Sequence, residues 1–152
     1  MSLSIYSDDH FMKLALEEAN LAFEEGEIPV GAVITAGNQV IAKAHNQVQR
    51  LNDVTAHAEM LAITAAQNHL GAKYLNECTL YVTLEPCIMC GGALFWAQLK
   101  KLVIGANDDR RGFSSLNTHI LHPKTTMQSG ILKDDCEKLI HDFFNKMRGN
   151  NF

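Results

Sequence analysis

Between Phe11 and Phe23 the apolar residues Phe11, Leu14, Ala15, Ala19, Ala22 and Phe23 fall three or four positions apart, the spacing of one helix face. Ser7 precedes them with Asp8 and Asp9, a capping hydroxyl followed by acids suited to the positive end of a helix dipole, so a helix is predicted to start there. Gly26 ends it, and Pro29 prevents it from resuming. From Val30 the pattern changes. Val30-Gly31-Ala32-Val33-Ile34 is a short continuous apolar run, read as a buried strand, and across the Gly37-Asn38 turn Gln39 to Ala44 returns as its hairpin partner. A polar loop from His45 to Asp53 leads to a second helix from about Thr55 to His69, stopped near Gly71.

Thr79-Leu80-Tyr81-Val82-Thr83 is β-branched and aromatic, a strand that Pro86 breaks before a third helix from Cys87 to Gln98. Leu102-Val103-Ile104-Gly105-Ala106 fits a further buried strand. The segment from Asn107 to Gly130, with Gly112, Ser114, Ser115 and Pro123, reads as irregular. A last helix is predicted from about Asp134 to Met147, turning Cys136, Leu139, Ile140, Phe143 and Phe144 inward. No repeat, low-complexity tract or linker interrupts this order of α, β, β, α, β, α, β and α. It implies an α/β fold with a mixed central sheet covered by helices on both faces, a three-layer α/β/α sandwich formed by one domain over residues 1–152.

Composition narrows the setting. With 47% hydrophobic and 20% charged residues the chain is not disordered, and four cysteines in 152 residues are too few for a disulfide-dense secreted scaffold. Met1 to Phe11 has neither a basic n-region nor an apolar h-region, so no signal peptide is expected, and no run approaches the ~18 apolar residues of a membrane span. A cytoplasmic protein with reduced thiols and no membrane partner is the expectation. The net charge of −4 and pI near 5.9 argue mildly against nucleic acid as a partner. Lys100, Lys101, Arg110 and Arg111 nevertheless lie together in the sequence, and Lys146 and Arg148 lie near its end. Such clusters are most simply solvated surface charge, and charge alone leaves the partner open.

Two short segments carry candidate chemistry: Thr55-Ala56-His57-Ala58-Glu59, and Leu84-Glu85-Pro86-Cys87-Ile88-Met89-Cys90. Each falls at a predicted helix start. A Cys-x-x-Cys opening a helix puts both sulfurs on one face within reach of one ion, and the positive helix end favours the thiolate, the metal-binding form. His57 adds a neutral third donor if the two helix starts lie side by side, as parallel βα units place them at the carboxyl end of a sheet. A thiol–disulfide redox pair is a rival reading that leaves His57 and Glu59 without a task. A structural zinc site needs four protein donors, and no second Cys-x-x-Cys or His pair is present; Cys78 and Cys136 read as core cysteines. A His-x-Glu by itself is common and means little. Joined to Pro-Cys-x-x-Cys, it is a known signature of zinc-dependent nucleobase deaminases.

The chain resembles the cytidine deaminase superfamily, and most closely its bacterial tRNA-specific adenosine deaminases. Beyond the two metal motifs, Glu27-Ile28-Pro29-Val30-Gly31-Ala32-Val33 is similar to the family's first-strand motif, and Thr79 to Cys87 matches almost letter for letter. Leu121-His122-Pro123, Ser129-Gly130-Ile131-Leu132, Cys136 and Phe143-Phe144 resemble the tRNA branch. The resemblance implies one Zn2+ per chain held by His57, Cys87 and Cys90, with water in the fourth position at a pKa lowered to near ~7. It implies attack of the resulting hydroxide on C6 of adenine, with Glu59 moving the water's proton to the ring nitrogen and to departing ammonia, giving inosine.

The same resemblance implies substrate contacts from Asn46, Val30 and Asp108. Read from their residues alone these are a turn-former, a core strand position and a loop cap. Phe143 and Phe144 read as core or interface residues, although the family's last helix approaches the anticodon. The implied partner is a tRNA anticodon loop, edited at its wobble adenosine by a homodimer in which the third helix, with Phe95 and Trp96, supplies an apolar contact. Two departures bear on the substrate. Leu94-Phe95-Trp96 is bulkier than in many tRNA deaminases and resembles bacterial guanine deaminases, and the chain stops at Phe152 without the basic tail of some members. The alternative is therefore a small-molecule guanine or cytosine deaminase of the same superfamily.

Overall fold

Ser7 Oγ accepts the main-chain N–H of His10 at 3.1 Å, and helix α1 (Asp8–Glu24) starts on that cap as its sequence predicts. Gly26, at φ 78°, follows its end. In this computed structural model the described residues are 5–116 and 118–149; the chain start at Met1–Ser4 and the chain end at Phe152 lie outside them. The elements that follow are β1 (Gly31–Ala36), β2 (Gln39–His45), α2 (Val48–Leu51), α3 (Ala58–Leu70), β3 (Cys78–Leu84), α4 (Ile88–Ala97), β4 (Lys101–Ala106), a 3-10 turn (Phe113–Ser115), β5 (Thr126–Ser129) and α5 (Lys133–Gly149).

The strands form one sheet in the order β2-β1-β3-β4-β5. β1 runs antiparallel to both neighbours, β2 and β3, while β3, β4 and β5 are mutually parallel. Side chains alternate between its faces, and the burial pattern divides accordingly. Ala32, Ile34, Leu80, Val82, Leu102 and Ile104 pack with Ala58, Ala62, Ala66 of α3 and Leu94 of α4. Val33, Tyr81 and Val103, one residue out of step, pack with Phe11, Met12 and Ala15 of α1 and Cys136 of α5. Helices thus cover both faces of a mixed sheet, the expected α/β/α arrangement. At Gly31 the layers approach so closely that a Cβ would overlap the main chain of Ala15 and Ala19. Among the described residues no helix is long and apolar enough to cross a membrane.

Three readings are corrected. The irregular stretch contains β5, an edge strand whose four residues are all exposed, so no apolar alternation marks it. The polar loop contains the short helix α2. On α5, Cys136 and Phe143 are buried and Leu139 and Ile140 half-buried, but Phe144 is 41% exposed and does not face inward.

Candidate active site

β1 antiparallel to both β2 and β3 makes β2 and β3 parallel to each other, with β1 between them. The helices that follow those two strands, α3 and α4, therefore start at the same end of the sheet. This is the side-by-side placement expected of parallel βα units, here with a reversed strand inserted between them. Both starts lie slightly later than the sequence suggests. His57 (φ −71°, ψ 152°) and Cys87 (φ −73°, ψ 177°) are extended cap residues just before α3 and α4, and Cys90 lies in the first turn of α4.

The three side chains meet. Cys87 Sγ and Cys90 Sγ each lie 3.6 Å from His57 Nδ1, and the three donor atoms are all within 4.8 Å of one another. One ring nitrogen cannot direct a single hydrogen at two sulfurs. A tetrahedral ion with bonds of about 2.3 Å to sulfur and about 2.05 Å to nitrogen has S···N edges of about 3.6 Å, so the donor set fits zinc in both spacing and softness. Among the described residues this is the one such cluster of three or more donors. Cys78 and Cys136 are buried elsewhere and unpaired, as core cysteines.

The three donors lie close enough to shift one another's protonation. A hydrogen bond from Cys90, opposed by burial and helped by His57, pushes the Cys87 thiol down to about 4. The proton it sheds stays with its neighbours: the Cys90 thiol is held far above its usual range by its bond to Cys87 and by burial, and His57 is raised by its bond to Cys87. Glu59, in the first turn of α3 and only 4% exposed, is not a member of the donor cluster. Burial pushes its carboxyl up to about 7, so it can hold or release a proton near neutrality.

The remaining sequence candidates border the same sheet end. Val30, buried, precedes β1 between the ends of β2 and β3, and its carbonyl accepts the N–H of Asn46 at 3.0 Å. The buried Asn46 is a turn-former: Nδ2 donates to Ile28 O at 3.2 Å and Oδ1 accepts from Val48 N at 3.2 Å. Asp108, half-buried beyond β4, caps a loop through Oδ1, which accepts from Arg110 N and Arg111 N, both at 3.1 Å. The basic cluster of the sequence does not hold together. Lys100 and Lys101 lie at the amino end of β4, Lys101 facing Asp8 at 3.7 Å, whereas Arg110 and Arg111 lie beyond its carboxyl end, roughly 20 Å along the strand. Two buried acids, Glu27 and Glu85, also lie in the first-strand and Cys-x-x-Cys motifs; an acid one or two residues before a proline is the signal the sequence offers for them.

A metal held by three protein donors keeps a coordination position for water, the arrangement of a hydrolytic centre and not of a structural one. Residues 5–106 match the cytidine and deoxycytidylate deaminase zinc-binding region, and the chain belongs to that family, with zinc as cofactor and hydrolytic deamination as its chemistry. The tRNA-specific adenosine deaminase of Aquifex aeolicus is 46% identical over 147 residues, spanning 93% of this chain and 97% of that protein. A solved structure from work on A-to-I editing by tRNA:A34 deaminases at the wobble position of transfer RNA is 41% identical with a TM-score of 0.79, covering 86% of this chain and 98% of that one. The guanine deaminase of Bacillus subtilis is 42% identical with a TM-score of 0.64, over 66% of this chain and 65% of its own.

Proposed function

We propose that this chain, acting as one deaminase domain over residues 1–152, converts adenosine to inosine at the wobble position of a tRNA anticodon in the cytoplasm. The supporting observation is how far each likeness extends. Identity level alone does not select a substrate, because the matched part of the guanine deaminase is 42% identical and that of the tRNA:A34 deaminase structure 41%. A tRNA-specific adenosine deaminase is 46% identical over 93% of the chain, whereas the guanine deaminase of Bacillus subtilis is 42% identical over only 66%, and a guanine deaminase from Nitrosomonas europaea that covers 93% is only 24% identical.

In this reading His57 Nδ1, Cys87 Sγ and Cys90 Sγ hold the zinc, which supplies water activation at neutral pH. Glu59 would carry one of the water's protons to the purine ring nitrogen and the other to the leaving amine, so that adenosine and water become inosine and ammonia. Its buried position and its carboxyl near 7 suit a group that must both accept and give a proton. Val30 gives the base an apolar wall. Asn46 has one side-chain N–H and one lone pair beyond those its turn uses, and these reach the base or ribose. Asp108 meets the flanking nucleotide through Oδ2, while Arg110 and Arg111 beside it contact phosphate; Lys100 and Lys101, at the far end of β4, are not needed. Unpaired anticodon bases can be splayed into such a pocket without strand separation.

Incubation with an anticodon stem-loop bearing a wobble adenosine, in parallel with free guanine, cytosine, cytidine and adenosine, tests the substrate. Inosine in the stem-loop with no ammonia from the free bases is expected; ammonia from guanine or cytosine and none from RNA would establish the alternative. The active species is a homodimer. Along α4, Ile88 at 58% and Trp96 at 76% exposure lie eight residues apart on one side with Gly92 between, an apolar stripe open to a second copy. Light scattering at micromolar concentration is expected to give twice the 16.8 kDa chain mass, and the single-chain mass would remove the dimer from the proposal.

A further inference from the structure

Two acids are buried without a part in the chemistry above, Glu27 at 1% and Glu85 at 4% exposure. Neither is in an ion pair among the described residues. Each instead accepts two main-chain N–H groups. Glu27 takes Gln49 N at 3.0 Å and Arg50 N at 2.8 Å, steadying α2 in the segment that leads to His57. Glu85 takes Asp108 N on Oε1 at 3.0 Å and Ser114 N on Oε2 at 2.8 Å. Burying a carboxylate is costly, and only fixed donors on both oxygens offset that cost, so the bonds are of the strong, charge-assisted kind.

The Glu85 bonds close a ring of main chain around one carboxylate. Within that ring Gly112 N donates to Asp108 O at 2.9 Å and Phe113 N to Pro86 O at 3.0 Å, and Gly112 bridges Cys87. Gly112 sits so close that a Cβ there would overlap the Glu85 carboxylate. A side chain two residues before Cys87 therefore fixes, relative to the metal donors, the loop that carries Asp108, Arg110 and Arg111. The outer residues of that loop, Asp109, Arg110 and Arg111, are exposed. A loop needed only to connect β4 to the next element could leave its N–H groups to water.

We propose that Glu85, seated against Gly112, is a positioning residue that clamps the 108–114 loop in register with the metal site so that this loop can hold the RNA beside the reacting base. The choice of RNA rests on the wobble-deaminase reading; the clamp rests on the geometry. Glu85→Gln puts an amide NH2 where one of the two main-chain donors needs an acceptor. The expected result is faster hydrogen exchange at the Asp108 and Ser114 amides, a KM for the anticodon stem-loop raised about tenfold or more, kcat changed less than about threefold, and zinc content unchanged. Glu85→Asp, which keeps the charge but is one methylene too short to reach both main-chain donors, is expected to give the same pattern and decides the matter if Glu85→Gln does not fold. Glu27→Gln is the local comparison, loosening the Gln49 and Arg50 amides but not those of Asp108 and Ser114. Unchanged exchange at Asp108 and Ser114 overturns the clamp. Loss of zinc with a fallen kcat and an unmoved KM overturns it too, by making Glu85 a support of the metal site. If the unsubstituted chain deaminates no RNA, the substrate reading fails, and the exchange data still decide the clamp.

Discussion

Glu59→Gln is expected to lower the single-turnover rate of deamination by about 10²- to 10⁴-fold, the range in which a positioned proton carrier acts, while zinc content and melting temperature stay near those of the unsubstituted chain. The side chain is buried in the first turn of α3, and glutamine matches its volume, so no cavity forms. Its carboxyl is pushed up to about 7 by burial, so replacing it with a neutral amide does not strand a charge. What the amide cannot do is take a proton and return it. The other acids described at this sheet end are engaged elsewhere: Glu85 and Glu27 accept two main-chain N–H groups each, and Asp108 Oδ1 accepts those of Arg110 and Arg111. Elemental analysis and a rapid-quench assay on the anticodon stem-loop measure the two halves. Zinc leaving the variant would make Glu59 a ligand, and a rate within tenfold would move the proton transfer to another group.

How much of this was legible before the structure follows from what each residue's partners are. α1, β1, β3, β4 and α4 could be read because their partners are the core itself, and core contact imposes a period on the sequence: 2 across Ile34/Val33 and Leu80/Tyr81, near 3.6 through Phe11, Ala15 and Ala19. β5 could not, because Thr126–Ser129 is an edge strand joined by main-chain bonds with all four side chains in water. The metal donors were legible for a different reason. Cys-x-x-Cys and His-x-Glu are local patterns, and the chemistry of one ion joins them whatever the fold. The basic residues show the converse: Lys101 and Arg110 are near in sequence, and one extended strand separates them in space. Glu27 and Glu85 were hidden because their partners are N–H groups, which every residue but proline carries and which therefore leave no mark in the sequence.

Removal of one sulfur tests the metal centre through stability as well as activity. A ligand that binds the folded chain alone stabilises it, and free zinc at about 1,000 times its Kd contributes about 4 kcal/mol. For a chain of this size that corresponds to roughly 10 °C in melting temperature, so a strong chelator is expected to lower Tm by about that much and to abolish activity, both restored by added zinc. Cys87→Ala should show the same low Tm and no activity from the outset, bind zinc at least ~100-fold more weakly, and no longer respond to the chelator. The fold should survive, because both packed clusters lie between the helices and the sheet and neither includes His57, Cys87 or Cys90. Far-UV circular dichroism of the variant should therefore match that of the unsubstituted chain below its lowered Tm. Cys78→Ala is the contrast: its sulfur is buried in the core and takes no part in the donor cluster, so it should cost stability while keeping zinc and the chelator response. A Cys87→Ala chain that still binds one zinc per chain and still answers the chelator would take Cys87 out of the ligand set.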